Sequence, residues 1–113
     1  MKIEITTVRK SENVTDEQIS IIHENFMNLL AKKFGGVSVF ECDGKWYSKD
    51  LHEFFNDKCR RYEVITTINK FKEIKSLIDD VAHLAFDLNE YCILLRVGMF
   101  SRFIYSDGSI ERV

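Results

Sequence analysis

Apolar and polar residues alternate at the start of the chain. In "KIEITTV", Ile3, Ile5 and Thr7 recur at every second position, the period of a strand with one buried face. The period changes after residue 15. In "DEQISIIHENFMNLLAKKF", Ile19, Ile22, Phe26, Leu29, Leu30 and Phe34 recur at three- and four-residue steps, which predicts a helix with one packed face. "TDEQ" at 15–18 fits a capping box, Thr15 accepting from the third helical residue and Gln18 reaching back, so the helix starts at Asp16. Lys32 and Lys33 suit the negative end of its dipole, and Gly35-Gly36 offers a left-handed cap.

"VSVFECDGKWYS" is strand-like again, and its Asp43-Gly44 fits a tight turn or a bulge within one long strand, the bulge being favoured. "KDLHEFFNDK" at 49–58 reads as a linker, though it contains no proline to force a break, and the β-branched "RRYEVITTI" at 60–68 predicts a second strong strand. Asn69 can cap a second helix through about Leu88, with an apolar stripe of Phe71, Ile74, Leu77, Ile78, Val81, Leu84, Ala85 and Leu88 and a left-handed stop at Asn89. "YCILLRV" at 91–97 is nearly continuous in apolar residues and predicts a buried strand. This order predicts an α+β fold: a ferredoxin-like βαββαβ antiparallel sheet with two helices on one face and a C-terminal β-hairpin.

The 113 residues suit one domain, 1–113, and the 45% hydrophobic and 30% charged composition is that of a soluble globular protein with no bilayer-spanning run. The N-terminus lacks the apolar block of a signal peptide, which suggests the cytoplasm. Cys42, Cys59 and Cys92 are far apart and odd in number, as reduced thiols would be. A net charge of −2 argues against long nucleic acid as a partner but leaves room for a small anion.

Candidate chemistry is sparse. His23, His52 and His83 form no metal-binding spacing and read as polar surface or rim residues, so no metal is expected. Asp79 and Asp80, adjacent on a helix, point about 100° apart and read as a solvated face. No phosphate-cradling or nucleophile motif occurs, so no catalytic residue and no cofactor is expected. Trp46, Tyr47, Phe54, Phe55, Phe100, Phe103 and Tyr105, however, lie among lysines and arginines, a setting that suits a nucleotide's base and phosphates.

The terminal "GMFSRFIYSDGSIERV" allows two hairpins. A two-residue loop, Asp107-Gly108, sets Phe103 opposite Arg112 and puts Arg102 on the other face. A three-residue loop, Ser106 to Gly108 with Gly108 left-handed, sets Arg102 opposite Arg112. Directly opposed like charges are unfavourable unless an anion lies between them, so the second register points to a phosphate or carboxylate partner. The hairpin could otherwise simply cover a sheet edge or complete a dimer interface.

The "GG-V-S … D-G-K-W" segment resembles a widespread group of small ferredoxin-like proteins of unassigned function. The complete chain, with "FGGVSVFECDGKW", "RYEVITTINKF" and "YCILLRVGMFSRFIYSDGSIERV" in that order, resembles the first-described family of phage anti-Thoeris sponge proteins. That resemblance implies a non-enzymatic protein in the cytoplasm of an infected bacterium, a homo-oligomer that sequesters a cyclic nucleotide signal of the cyclic ADP-ribose type without cleaving it. It implies Phe71 as a base-stacking residue and Arg102 and Arg112 as phosphate ligands, with Asn69 and Asp107 beside them. The stripe equally allows Phe71 to be ordinary core. A small enzyme acting on a nucleotide or small anion, with His52 as its candidate histidine, and a protein-interaction module are the alternatives.

Overall fold

The computed structural model describes residues 1–9, 11, 13–67 and 71–113, apart from the side chain of Phe71. The expected cap Asn69 lies outside the described residues. Along the chain run β1 (Lys2–Val8), α1 (Asp16–Phe34), β2 (Ser38–Ser48), β3 (Glu53–Ile65), α2 (Phe71–Asp87), β4 (Cys92–Val97), β5 (Phe100–Tyr105) and β6 (Ile110–Arg112). They form one six-stranded sheet in the order β2-β3-β1-β4-β5-β6, antiparallel at every pairing. The first four strands have the ferredoxin-like order, and the C-terminal hairpin extends it past β4.

Local chemistry fixes the helix ends. Thr15 accepts from the Gln18 amide and Gln18 returns the bond to the Thr15 amide, completing the capping box. Gly35 ends α1 at φ 90°, donating to the Ala31 carbonyl. Asn89 takes φ 55° after α2, as its short polar side chain permits.

The core lies between the helices and one sheet face. Ile3 and Ile5 of β1, Tyr62 and Val64 of β3, Ile93 and Leu95 of β4 and Ile104 of β5 meet Ile19, Phe26 and Leu30 of α1 and Leu77, Val81, Leu84 and Ala85 of α2. His23 belongs to this layer too, only 2% exposed, so it is not a surface histidine. It continues the buried line Ile19, His23, Phe26, Leu30 and shares a 2.5 Å hydrogen bond through Nδ1 with the Tyr62 hydroxyl.

β2 contributes no fully buried residue. It pairs with β3 one-for-one from Ser38↔Glu63 to Ser48↔Glu53, so Asp43-Gly44 is neither turn nor bulge and most of the expected linker is strand. β1 stops at Val8, opposite Cys59, while β3 reaches back to Glu53. Beyond that point the hairpin is an arm, which lengthens the molecule to 45 Å against 32 and 25 Å.

Candidate functional site

The C-terminal hairpin settles its register at the turn. The Gly108 amide donates to the Tyr105 carbonyl, Tyr105 donates to Ser109, and Gly108 sits at φ 89°, where a side chain would be strained. The loop is therefore Ser106–Gly108, and Ile104 faces Ile110 while Arg102 faces Arg112. Asp107 locks it: its Oδ1 accepts from the Ser109 amide at 2.8 Å and from the Ser109 hydroxyl at 2.6 Å. Those bonds, the side-chain one first, hold the Asp107 carboxyl below its ordinary pKa, so it stays anionic at neutral pH.

Ile104 is buried beneath α2, and alternation puts Phe100 and Arg102 on that same face of β5. α2 covers the sheet only as far as this strand, so a cleft remains along the seam between helix and hairpin. Two cavities follow one another there. The first, about 300 Å³, has a mainly apolar wall of Ile74, Ile78, Leu95, Phe100 and Ile110, with Lys75 and Arg102 as its cations. The second, about 440 Å³, is lined by Asp79, His83 and Phe86 of α2 and by Ser106, Asp107 and Gly108 of the turn. Both have the volume of small-molecule sites. The Arg102 guanidinium lies 5.7 Å from the centre of the Phe100 ring and donates at 2.8 Å to the Ser101 carbonyl.

The structure thus brings together residues the sequence separates. Arg102 lines the apolar half and Asp107 the polar half. Arg112 faces Arg102 across the ladder. Phe71 begins α2, one turn before Ile74. Lys75, Asp79 and His83 are additions. Asp79 and His83 are one turn apart on α2, a spacing visible in the sequence. What the sequence hides is that the hairpin comes to face them. Asp80 points elsewhere and pairs with Lys33 of α1.

His52 is not near this cleft. It sits at φ 53° in the turn between β2 and β3, at the other edge of the sheet, with its Nδ1 3.3 Å from the Tyr47 hydroxyl. Much of the expected aromatic and cationic display is likewise internal to the arm. Trp46 stacks on Phe55 at 4.7 Å and Tyr47 on Phe54 at 5.0 Å between ring centres, and Lys45 lies 5.4 Å from the Phe54 ring centre.

No protein-family model and no curated protein matches the chain. Two solved structures share its fold. One is a phage SAM lyase in complex with S-methyl-5′-thioadenosine, at TM-score 0.54 and 10% identity, over 99% of this chain and 87% of that one. The other is a phage SAM lyase in its apo state, at TM-score 0.53 and 9% identity, over 97% and 82%. At these identities the likeness is one of fold. It corrects the expectation of a non-enzymatic chain, because in both similar structures the fold is that of an enzyme. Neither similar structure is a cyclic ADP-ribose sponge.

Proposed function

We propose that this chain is a small phage enzyme that cleaves a zwitterionic adenosyl compound of the S-adenosylmethionine type, and that the cleft between α2 and the C-terminal hairpin is its active site. The observation that carries this reading is the division of charge along the cleft. Lys75 and Arg102, with Arg112 opposite, stand at one end, and Asp79 and Asp107 at the other. A cyclic dinucleotide carries its charge only on phosphates and meets repulsion at the acidic end. A substrate with both a carboxylate and a sulfonium matches both ends, and the apolar wall beside the cations offers a surface for an adenine ring.

Departure of a sulfonium sulfur as a neutral thioether takes the bonding electron pair with it and needs no acid. In this reading His83 is the base: it takes a proton from the carbon next to the one that bore sulfur, and the electron pair of that C–H bond forms a C=C bond as the thioether leaves. A phage origin and a role in overcoming host defence enter through the sequence resemblance and belong to the proposal. So does self-association: Phe86, Phe100 and Ile110 at the rim are 71%, 67% and 50% exposed, surface that a second copy would cover.

The test is incubation of the purified chain with S-adenosylmethionine and, separately, with cyclic ADP-ribose isomers, followed by chromatography. Release of S-methyl-5′-thioadenosine with the cyclic nucleotides untouched is expected. Intact S-adenosylmethionine after prolonged incubation would overturn the assignment. Light scattering of the same sample reads the number of copies.

A further inference from the structure

The three cysteines, far apart in sequence, share one face of the sheet. Alternation from the buried Ile3, Tyr62 and Ile93 puts Cys42, Cys59 and Cys92 on the face opposite the helices. Cys42 and Cys59 are direct cross-strand partners. Cys92 is two strands from Cys59, with β1 between them, a separation of about 10 Å at strand spacing.

Opposed residues in an antiparallel pair have Cβ atoms about 4.5–5.5 Å apart, and their Cα spacing falls inside the range that a disulfide spans. The one-for-one pairing through Asp43 and Gly44 holds Cys42 and Cys59 in that relation. Gly44 leaves space beside the Cys59 sulfur, since a Cβ at position 44 would stand 3.4 Å from it. All three cysteines are half-buried free thiols.

We propose that Cys42 and Cys59 are a redox modification site, a vicinal pair across β2 and β3 that closes reversibly into an intramolecular disulfide when the thiol–disulfide poise of its surroundings turns oxidising. With glutathione disulfide as the oxidant, the Cys42 thiolate attacks one sulfur and expels a glutathione thiolate. The Cys59 thiolate then attacks the Cys42 sulfur of the mixed disulfide and expels the second glutathione. Two protein thiols are oxidised and one glutathione disulfide is reduced to two thiols, with both protons accounted for on the glutathiones. Cys42 takes the first step because it is on the edge strand, while burial pushes the Cys59 thiol up and leaves less of it as thiolate. The bond ties the arm at its root, where β3 parts from β1 beside Val8.

Equilibrating the full chain in glutathione buffers of rising oxidised fraction, then alkylating and peptide-mapping without reduction, tests this. Free thiols should fall from three to one, the cross-linked peptides should hold Cys42 and Cys59, and dithiothreitol should restore all three. The C92S variant should form the same cross-link, its free thiols falling from two to none, and C59S should stop at the mixed disulfide on Cys42. Three alkylatable thiols in the fully oxidised buffer, or a cross-link that contains Cys92 or joins two chains, would overturn the proposal.

Discussion

The two edges of the sheet are both hairpins, and they meet opposite fates. At one edge β2 and β3 run past the end of β1, and the aromatic residues they carry stack on one another across the ladder. At the other edge β5 and β6 stay within reach of α2, so their outward residues face a helix and enclose space. The rings of the arm are largely used up as cross-strand pairs. Convergence of two elements, more than residue type, separates a site from a display of suitable residues: helix and hairpin bring opposite charges and an apolar wall to one open cleft, whereas the same residue types on the arm face one another.

The sharpest way to break this contrast is to remove the proposed base. His83→Ala should lower turnover of S-adenosylmethionine by about 10²–10⁴-fold, the usual contribution of a positioned general base, with thermal stability little changed because the side chain is exposed. Wild-type turnover in this variant would move the chemistry out of the polar half of the cleft.

Between the edges lies the buried His23–Tyr62 pair, and its response to acid sets the stability that both depend on. Burial first, and then the nearby Arg60, lower the His23 pKa from 6.5 to about 4. Since the unfolded chain takes up the proton more readily, the pair's contribution is complete above pH 6.5 and is lost as pH falls toward about 4. The full loss amounts to about 3 kcal/mol. Denaturant titrations at a series of pH values should show this slope in the wild type and lose most of it in His23→Gln. An unchanged slope would place the acid sensitivity elsewhere.

Much of this was legible in the sequence, and the omissions have physical causes. The capping box at Thr15, the stops at Gly35 and Asn89 and the element order all depend on neighbours a few residues apart, and all formed as read. The start of β3 did not show because residues 53–58 pack no core on either face, so no period of two marks them. His23 carried a signal that the apolar stripe obscured: it sits four residues after Ile19 and three before Phe26, on the buried line itself. The cleft was half legible. Arg102 and Asp107 were candidates through the resemblance, with the hairpin register left open between two loops, while His83 and Asp79 become site residues only through a helix-to-hairpin contact that no local pattern encodes.

Arg102 tests the cationic end. Arg102→Ala should weaken binding of the proposed substrate about 10- to 100-fold, the range for loss of one charge-assisted contact, while leaving the fold intact. Removing Arg102 relieves its repulsion with Arg112 but also deletes its contact with the Phe100 ring and its bond to the Ser101 carbonyl, effects of similar size, so the thermal midpoint should hardly move as affinity falls. Isothermal titration beside thermal melts reads both. Loss of stability together with unchanged affinity would make the pair a structural feature of the hairpin.

The smallest effect is expected at the arm, and it sharpens the comparison from the other side. Trp46→Ala removes one partner of the Trp46–Phe55 stack, which costs about 0.5–1.5 kcal/mol beyond lost area when such a pair is packed. Trp46 is half exposed and lies past the end of β1, so the cost should fall at the low end of that range, and the thermal midpoint should shift by only a few degrees. Turnover per folded molecule should not move, because the arm and the cleft occupy opposite edges of the sheet. A fall in turnover with stability preserved would mean that the arm of one copy reaches the cleft of another, and the two edges would then be halves of one site.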